Sequence, residues 1–267
     1  MDDAISPPGR PKGEYRGAQL DGTSVSAVCE QLARAQRVCV LTGAGMSAES
    51  GIATFRDAMS GLWSRFDPAQ LASEEGFRAD PARVWAWYAE RRQNVREAQP
   101  NAGHVALADY GRRRPGVLTI VTQNVDDLHQ RAGWPQTIRL HGDLLADRWL
   151  ADCPRGLGCS PATAVHGAPP RCADCGNLLR PGVVWFGEML PEDAIDAAER
   201  AAQQCELMLV VGTSGAVWPA AGLASVARRA GAKVAILNPD ASEIDDQAHW
   251  VLRGTAAALL PRLLGVS

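Results

Sequence analysis

The sequence predicts an α/β protein: a doubly wound parallel sheet with a smaller helical and zinc-binding module let into it. Three observations carry this. Apolar runs of strand length alternate with stretches of helical periodicity, the pattern of strands covered by helices on both faces. Each run ends in small or polar residues: Gly43, Gln123, His141, Gly212 and Asn238. Residues 151–185 break the pattern, being dense in Pro, Gly and Cys without periodicity.

The elements follow in order. Residues 1–20 are polar and rich in Pro and Gly, with no apolar core of a secretory signal, and read as a disordered tail or a short ordered arm. Residues 24–36 have the spacing of an amphipathic helix. RVCVLTGAG is a buried strand entering a tight turn. Asp80 and Pro81 are an N-cap and a first helical residue, and the helix they open stops near Pro100. Asn101 to Tyr110 makes the next helix. VLTIVTQN, TIRLHGD, ELMLVVGTS and AKVAILNPD supply four further strands. Ala221–Ala230 is helical, and WVLRGTAAALLPRLL closes with a short strand and a helix. No internal repeat is visible.

Composition excludes several classes. The chain is 46% hydrophobic and 21% charged, ordinary for a soluble globular protein. A net charge of −3 gives no basic field for nucleic acid. No apolar run approaches the roughly 18 residues of a membrane span. Of seven cysteines, Cys29, Cys39 and Cys205 lie in apolar segments and read as small buried hydrophobes. The other four cluster within residues 153–175, which suits a metal site better than disulfides. A cytoplasmic location is expected; the oligomeric state is left open.

In an open α/β sheet, ligands bind outside the carboxyl ends of the strands. The polar strand ends are therefore the candidate site. Gly43-Ala44-Gly45 with Ala48 fits a phosphate-binding turn, though alone it reads equally as a structural glycine turn. Gln123, Asn124 and Asp126 offer amides and a carboxylate to hydroxyls and a carboxamide; the alternative is a polar loop capping the next helix. His141 stands at a strand end beside a glycine, placed for general-base work or as a satisfied structural histidine. His104, His129, His166 and His249 receive the structural reading. Cys153-x5-Cys159-x12-Cys172-x2-Cys175 looks like a tetrahedral zinc site with no open position, hence structural, set against unliganded thiols. His166 is a substitute ligand should Cys153 or Cys159 not reach.

On the helix from Asp80, Val84, Trp87, Tyr88 and Val95 form one stripe, with Arg91 in its middle. A guanidinium on an apolar face needs an anion, either an internal carboxylate or a ligand. Tyr88 stands one turn before it, so both tips can converge. Arg92 and Arg96 fall off the stripe and are expected in solvent.

Taken together, GAGMSAESGIATFR, TQNVDDLH, LHGD, the cysteine quartet, RPGVVWFGE, VVGTS and LNPD resemble the sirtuins, NAD-dependent protein deacylases. The stretches fall in that family's order over roughly residues 24–265 and are most similar to its bacterial members and its desuccinylase-like class. The resemblance implies a Rossmann-like NAD domain from residues 21–57, 99–145 and 185–267, and a small module from residues 58–98 and 146–184. It implies that NAD is consumed, with acyl-lysine proteins or peptides as the other substrate. The loop after Gly45 would close over NAD. Gly43 would belong to the NAD site, Ala44 and Gly45 would meet the phosphates, Phe55 and Arg56 the nicotinamide ribose, Gln123 and Asn124 the same ribose, and Asp126 the carboxamide. Gly212, Thr213, Ser214 and Asn238 would line the adenosine half, and Ala256 would lie near the adenine. His141, with Asn124, would be catalytic. Val184 and Phe186 would wall the acyl-lysine tunnel in a segment that pairs with the substrate peptide, unless it is an ordinary edge strand. Tyr88 and Arg91 would read an acyl carboxylate, making succinyl and malonyl groups substrates beside acetyl. Ala53 stands where the family usually has Pro, which leaves the loop freer and NAD more weakly retained. The rivals are a hydride-transferring dehydrogenase, a protein ADP-ribosyltransferase and a non-catalytic NAD-binding module.

Overall fold

Val38–Thr42 (β1) is buried at every position, as is Leu207–Val211 (β8). A strand with both faces apolar needs cover on both, and that requirement builds the fold. The computed structural model describes residues 22–53, 67–154, 156, 158–159 and 164–266. The expected tail over 1–20 lies outside these residues.

Between β1 and β8 in sequence come Leu118–Thr122 (β2), Thr137–Arg139 (β3), Gly142–Trp149 (β4), Ala164–Val165 (β5), Arg171–Cys172 (β6) and Leu179–Val183 (β7); Lys233–Leu237 (β9) and Trp250–Leu252 (β10) follow. Six strands form one parallel sheet in the order β10-β9-β8-β1-β2-β3. Alternate residues serve opposite faces. Val38 and Val40 pack with Gly22–Arg34 (α1), Ala102–Arg113 (α5) and Ala256–Leu264 (α9). Cys39 and Leu41 pack with Glu192–Gln204 (α7) and Leu223–Arg229 (α8). The doubly wound sheet expected from the sequence is thus present; α7 had no sequence expectation. Among the described residues no helix is long and apolar enough to cross a membrane.

A second core belongs to the small module. It joins Pro68–Leu71 (α2), Glu74–Ala79 (α3) and Pro81–Glu97 (α4) to the antiparallel pair β4–β7. Asp80 caps α4 by accepting from the Arg83 N–H at 3.0 Å, with Pro81 first in the helix, as expected. Leu128–Arg131 (α6) is a single turn after β2.

Three expectations need correction. The third strand does not run through TIRLHGD; it ends at Arg139, and Gly142 already opens β4 in the module. Cys39 and Cys205 are buried, but Cys29 is only half-buried beneath α9. Arg92 is buried rather than solvated. Its Nε donates to the Leu144 carbonyl at 2.7 Å, and Nη2 donates to the Ala146 carbonyl and to Asp147. The register of β4 against β7 shifts between Asp143 and Asp147. A bulge leaves ladder acceptors unused, and Arg92 takes them.

The turn at Gly142 places the site. Its φ is +82°, and a Cβ there would lie 2.2 Å from the Gly182 carbonyl oxygen. Only glycine lets the chain leave the sheet and pair at once with β7. Gly142→Ala should therefore cost about 3 kcal/mol or more, from overpacking added to left-handed backbone strain. Urea denaturation checks this; an unchanged midpoint would refute the tight fit.

Candidate functional site

Strand order reverses beside β1, where a doubly wound sheet opens a crevice. The turns after β1 and β8 meet there. Gly43 N–H donates to the Val211 carbonyl at 2.9 Å, and Gly45 N–H to the Gly212 carbonyl at 2.8 Å. A Cβ on Gly43 would lie 2.7 Å from Thr213 Cβ, and one on Gly45 2.8 Å from Gly212 Cα. The contact between the two turns thus itself demands these glycines. Two 3₁₀ turns, Ala44–Met46 and Ala48–Ser50, come next in place of a long helix. Asn101 ties them down, its Nδ2 donating to the Met46 carbonyl at 2.8 Å and to Ser50 Oγ at 3.1 Å. Phe55 and Arg56 lie outside the described residues.

Across the strand ends, Gln123 Nε2 donates to Thr213 Oγ1 at 3.1 Å, and Asn238 Nδ2 to the Thr213 carbonyl at 3.3 Å. These contacts bring Gln123, Thr213 and Asn238 into one row along the carboxyl edge. Ser214 is exposed beside them. The Ala256 side chain is buried, so it can offer a ligand only backbone.

Ser47, which the sequence reading did not single out, organises the crevice floor. Its hydroxyl donates to Asp126 Oδ2 at 2.9 Å and accepts from Asn124 Nδ2 at 3.1 Å. Asp126 Oδ1 accepts from the Leu128 N–H at 3.0 Å. Burial still leaves the Asp126 carboxyl above its usual range. Behind Ser47, His104 Nδ1 accepts from the Asn101 N–H at 3.4 Å, so its Nε2 carries the proton facing Ser47 Oγ at 3.5 Å. Thr42 Oγ1 donates to Thr122 Oγ1 at 2.8 Å and so accepts from His129 Nε2 at 3.1 Å. Arg139 donates to the Val125 and Asp126 carbonyls, at 3.0 and 2.8 Å, and pairs with Asp143. It fixes the loop that carries Asn124 and Asp126. No signal in the sequence marks it.

His141 stands where the chain leaves the sheet. Its Nδ1 is 2.9 Å from the Gln123 carbonyl oxygen. A carbonyl only accepts, so Nδ1 bears the proton and Nε2 the lone pair. Burial lowers the imidazole pKa from its ordinary 6.5, against the opposing effect of that hydrogen bond. The ring is therefore a neutral base at neutral pH.

A cleft of about 530 Å³ runs from Ala44 and His141 to α4. Asn124, Asp126, Tyr88, Arg91, Val184 and Phe186 all line it. Val184 N–H donates to the His141 carbonyl at 2.9 Å, and Phe186 N–H to the Ala72 carbonyl at 2.9 Å. Those two donors are spent within the chain, while both side chains face the cleft; Phe186 is 54% exposed. Val183 and Trp185 alternate with them into the module core. The Arg91 guanidinium lies 4.7 Å from the Trp87 ring centroid. Burial lowers the Arg91 pKa and pushes the Tyr88 phenol up to about 12.

In the module, the sulfurs of Cys153, Cys159 and Cys175 lie within 4.8 Å of one another. Cys172 is buried beside them, and the backbone N–H groups of Cys175 and Asp174 aim at its sulfur, holding that thiol below its usual range. N–H groups aimed at a sulfur favour its thiolate, and converging cysteine sulfurs suit a tetrahedral soft-metal site.

A family model described as the Sir2 family matches residues 43–219. An NAD-dependent protein deacylase of Ralstonia nicotianae is 54% identical over 230 residues, covering 86% of this chain and 92% of that one. A crystal structure of a Sir2 homologue–NAD complex is 41% identical with a TM-score of 0.80, covering 94% of this chain and 95% of that one. A structure of Sir2Tm bound to a propionylated peptide is 30% identical with a TM-score of 0.76, covering 91% and 99%.

The two buried histidines behind the crevice make stability depend on pH. Burial holds His104 at about 4 and His129 at about 3, both below the ordinary 6.5. The unfolded chain binds protons that the fold refuses, so stability falls as pH drops below about 6.5 and goes on falling toward the folded values. At pH 5 each histidine should cost about 2 kcal/mol relative to pH 7.5. Urea titrations at the two pH values check this; equal midpoints would contradict the neutral, buried assignment.

Proposed function

The chain belongs to the Sir2 family and is an NAD-dependent protein deacylase; from that premise we propose how its own residues carry the reaction. One observation supports the assignment most: His141, its tautomer set by the Gln123 carbonyl, lines the same cleft as Asn124, Tyr88 and Arg91. NAD is a substrate. Gly43, Ala44 and Gly45 approach its phosphates, and Gly212, Thr213, Ser214, Asn238 and the Ala256 backbone take the adenosine half. Gln123 and Asn124 hold the nicotinamide ribose, with Phe55 and Arg56 from the covering loop. Asp126 faces the carboxamide.

The acyl-lysine oxygen is a weak nucleophile, so its reaction depends on placement. It bonds to the anomeric carbon as the bond to nicotinamide breaks, and nicotinamide leaves with that electron pair. His141 Nε2 then takes a proton from the ribose hydroxyls. The 2′-oxygen adds to the amidate carbon, and hydrolysis releases lysine and O-acyl-ADP-ribose. Val184 and Phe186 wall the lysine stem. Tyr88 and Arg91 face the acyl end, where a guanidinium and a phenol match a carboxylate. Succinyl and malonyl groups are therefore substrates beside acetyl.

Cys153, Cys159, Cys172 and Cys175 would hold one structural zinc. Held by four thiolates with no open position, the metal would stabilise the module and take no chemical step. Metal analysis should find one zinc per chain, and Cys175→Ser should lose it together with module stability. A full zinc complement in that variant would remove Cys175 from the set.

The decisive assay is mass spectrometry of acetyl-, succinyl- and malonyl-lysine peptides with NAD. Wild type should release one nicotinamide per lysine freed. His141→Tyr should lose at least about 100-fold in rate. Arg91→Met should lose roughly 10-fold or more on succinyl peptide, with a much smaller loss on acetyl. ADP-ribose left on the peptide would point instead to a transferase, and equal losses with Arg91→Met would refute the carboxylate contact.

A further inference from the structure

We propose that Trp185 fixes the direction of the Tyr88 hydroxyl and thereby selects acyl groups that end in a hydrogen-bond acceptor. The inference rests on the reading of Tyr88 and Arg91 as the acyl end of the cleft. It adds a positioning residue that acts through Tyr88.

Trp185 lies between Val184 and Phe186, packs into the module core at 2% exposure and borders the cleft from behind Tyr88 and Arg91. Its ring is held from several sides. The Arg180 guanidinium sits 3.3 Å from the ring centroid, and the Phe77 ring lies at 5.2 Å. The Trp185 backbone N–H donates to Glu188 Oε2 at 2.8 Å. Glu188 pairs in turn with Arg180, which is wholly buried, and with Arg148 at 2.9 Å. Glu188 thus offsets the Arg180 charge stacked on the indole, and the ring has one place to be.

From that place the indole Nε1 reaches Tyr88 Oη at 3.0 Å. An indole N–H can only donate, so the phenol oxygen must accept. The phenol hydrogen is then turned away from Trp185. Among the described residues no group accepts it. Tyr88 is 4% exposed, and its ring meets the Trp87 ring edge-on at 4.6 Å, which leaves the phenol little freedom. Tyr88 and Arg91 both line the cleft. The wall they form presents an O–H donor and a cation, the complement of a carboxylate and a poor match for a methyl terminus. Without the indole donor, the hydroxyl could serve either way and the wall would lose its polarity.

The test uses one peptide sequence carrying succinyl-, butyryl- or acetyl-lysine, which separates charge from chain length. Trp185→Phe keeps an aromatic ring for Arg180 and Phe77 and deletes the N–H. It should lower kcat/KM for the succinyl peptide roughly 5- to 10-fold, chiefly through KM, while butyryl and acetyl peptides change by no more than about twofold. A Tyr88→Phe/Trp185→Phe double variant should fall no lower than Tyr88→Phe alone, because both remove the same oriented donor. A parallel fall on all three peptides, or losses that multiply in the double variant, would overturn the proposal. If wild type prefers succinyl and Trp185→Phe keeps the full preference, this inference alone fails. If wild type itself shows no preference for succinyl over butyryl, the reading of Tyr88 and Arg91 fails and takes this one with it.

Discussion

The hydrogen bond from His141 Nδ1 to the Gln123 carbonyl is the contact on which the chemistry depends. A free imidazole exchanges its proton between two nitrogens. One fixed carbonyl ends that exchange and leaves Nε2 as the base. The carbonyl is itself fixed: Gln123 N–H donates to the Thr42 carbonyl at 2.9 Å, which continues the β1–β2 ladder past its last paired residues. Leu140 N–H donates to the Thr122 carbonyl at 2.9 Å and anchors the histidine from the other side. Gly142 then turns the chain away at once, so the ring stands at the border of sheet and module. Sheet register, a positive-φ glycine and a tautomer form one chain of causes.

Behind that contact lies a polar layer with no charge to spare. Ser47 links Asp126, Asn124 and His104, while Thr42 links Thr122 to His129. Every member comes from the carboxyl end of a strand or the loop after it, apart from the two histidines on helices behind. These bonds hold the layer to one geometry, although His129 Nδ1 is buried with no hydrogen-bond partner among the described residues. Here the geometry held is that of the Asn124–Asp126 loop, which Arg139 grips through two carbonyls. The His104 and His129 rings meet edge-on at 4.9 Å, and that contact tolerates two neutral rings far better than two cations.

Much of this was legible in the sequence because it depends on local pattern. Apolar runs gave the strands, and their polar ends named Gln123, Gly212 and Asn238, which the parallel sheet brings to one edge; His141 stands two residues past β3, in the turn to the module. The stripe on α4 found Tyr88 and Arg91 from helical spacing alone. What stayed hidden depends on partners far away in the chain. The angle of Arg92 on the helix predicts solvent, but a bulge in β4 supplies it with carbonyls. Arg180, Glu188 and Trp185 lie within a few residues of one another, yet nothing in their spacing says that the cation stacks on the ring. Ser47 is one serine among several until Asp126 stands beside it. The Gly43–Gly45 turn reads equally for a ligand or for structure, and only the approach of Gly212, far along the chain, shows the structural demand on Gly45.

The two ends of the cleft follow one logic: a group with two possible hydrogen-bonding roles is given one by a neighbour with no choice. The Gln123 carbonyl does this for His141, and the Trp185 indole for Tyr88. The first of these can be seen without substrate. A long-range ¹H–¹⁵N correlation spectrum of the labelled protein, titrated with pH and assigned through loss of signals in His141→Tyr, reports both tautomer and pKa. The account predicts a neutral ring protonated at Nδ1 that takes up its second proton below pH 6.5. A ring protonated at Nε2 at neutral pH, or one that charges above 6.5, would contradict it.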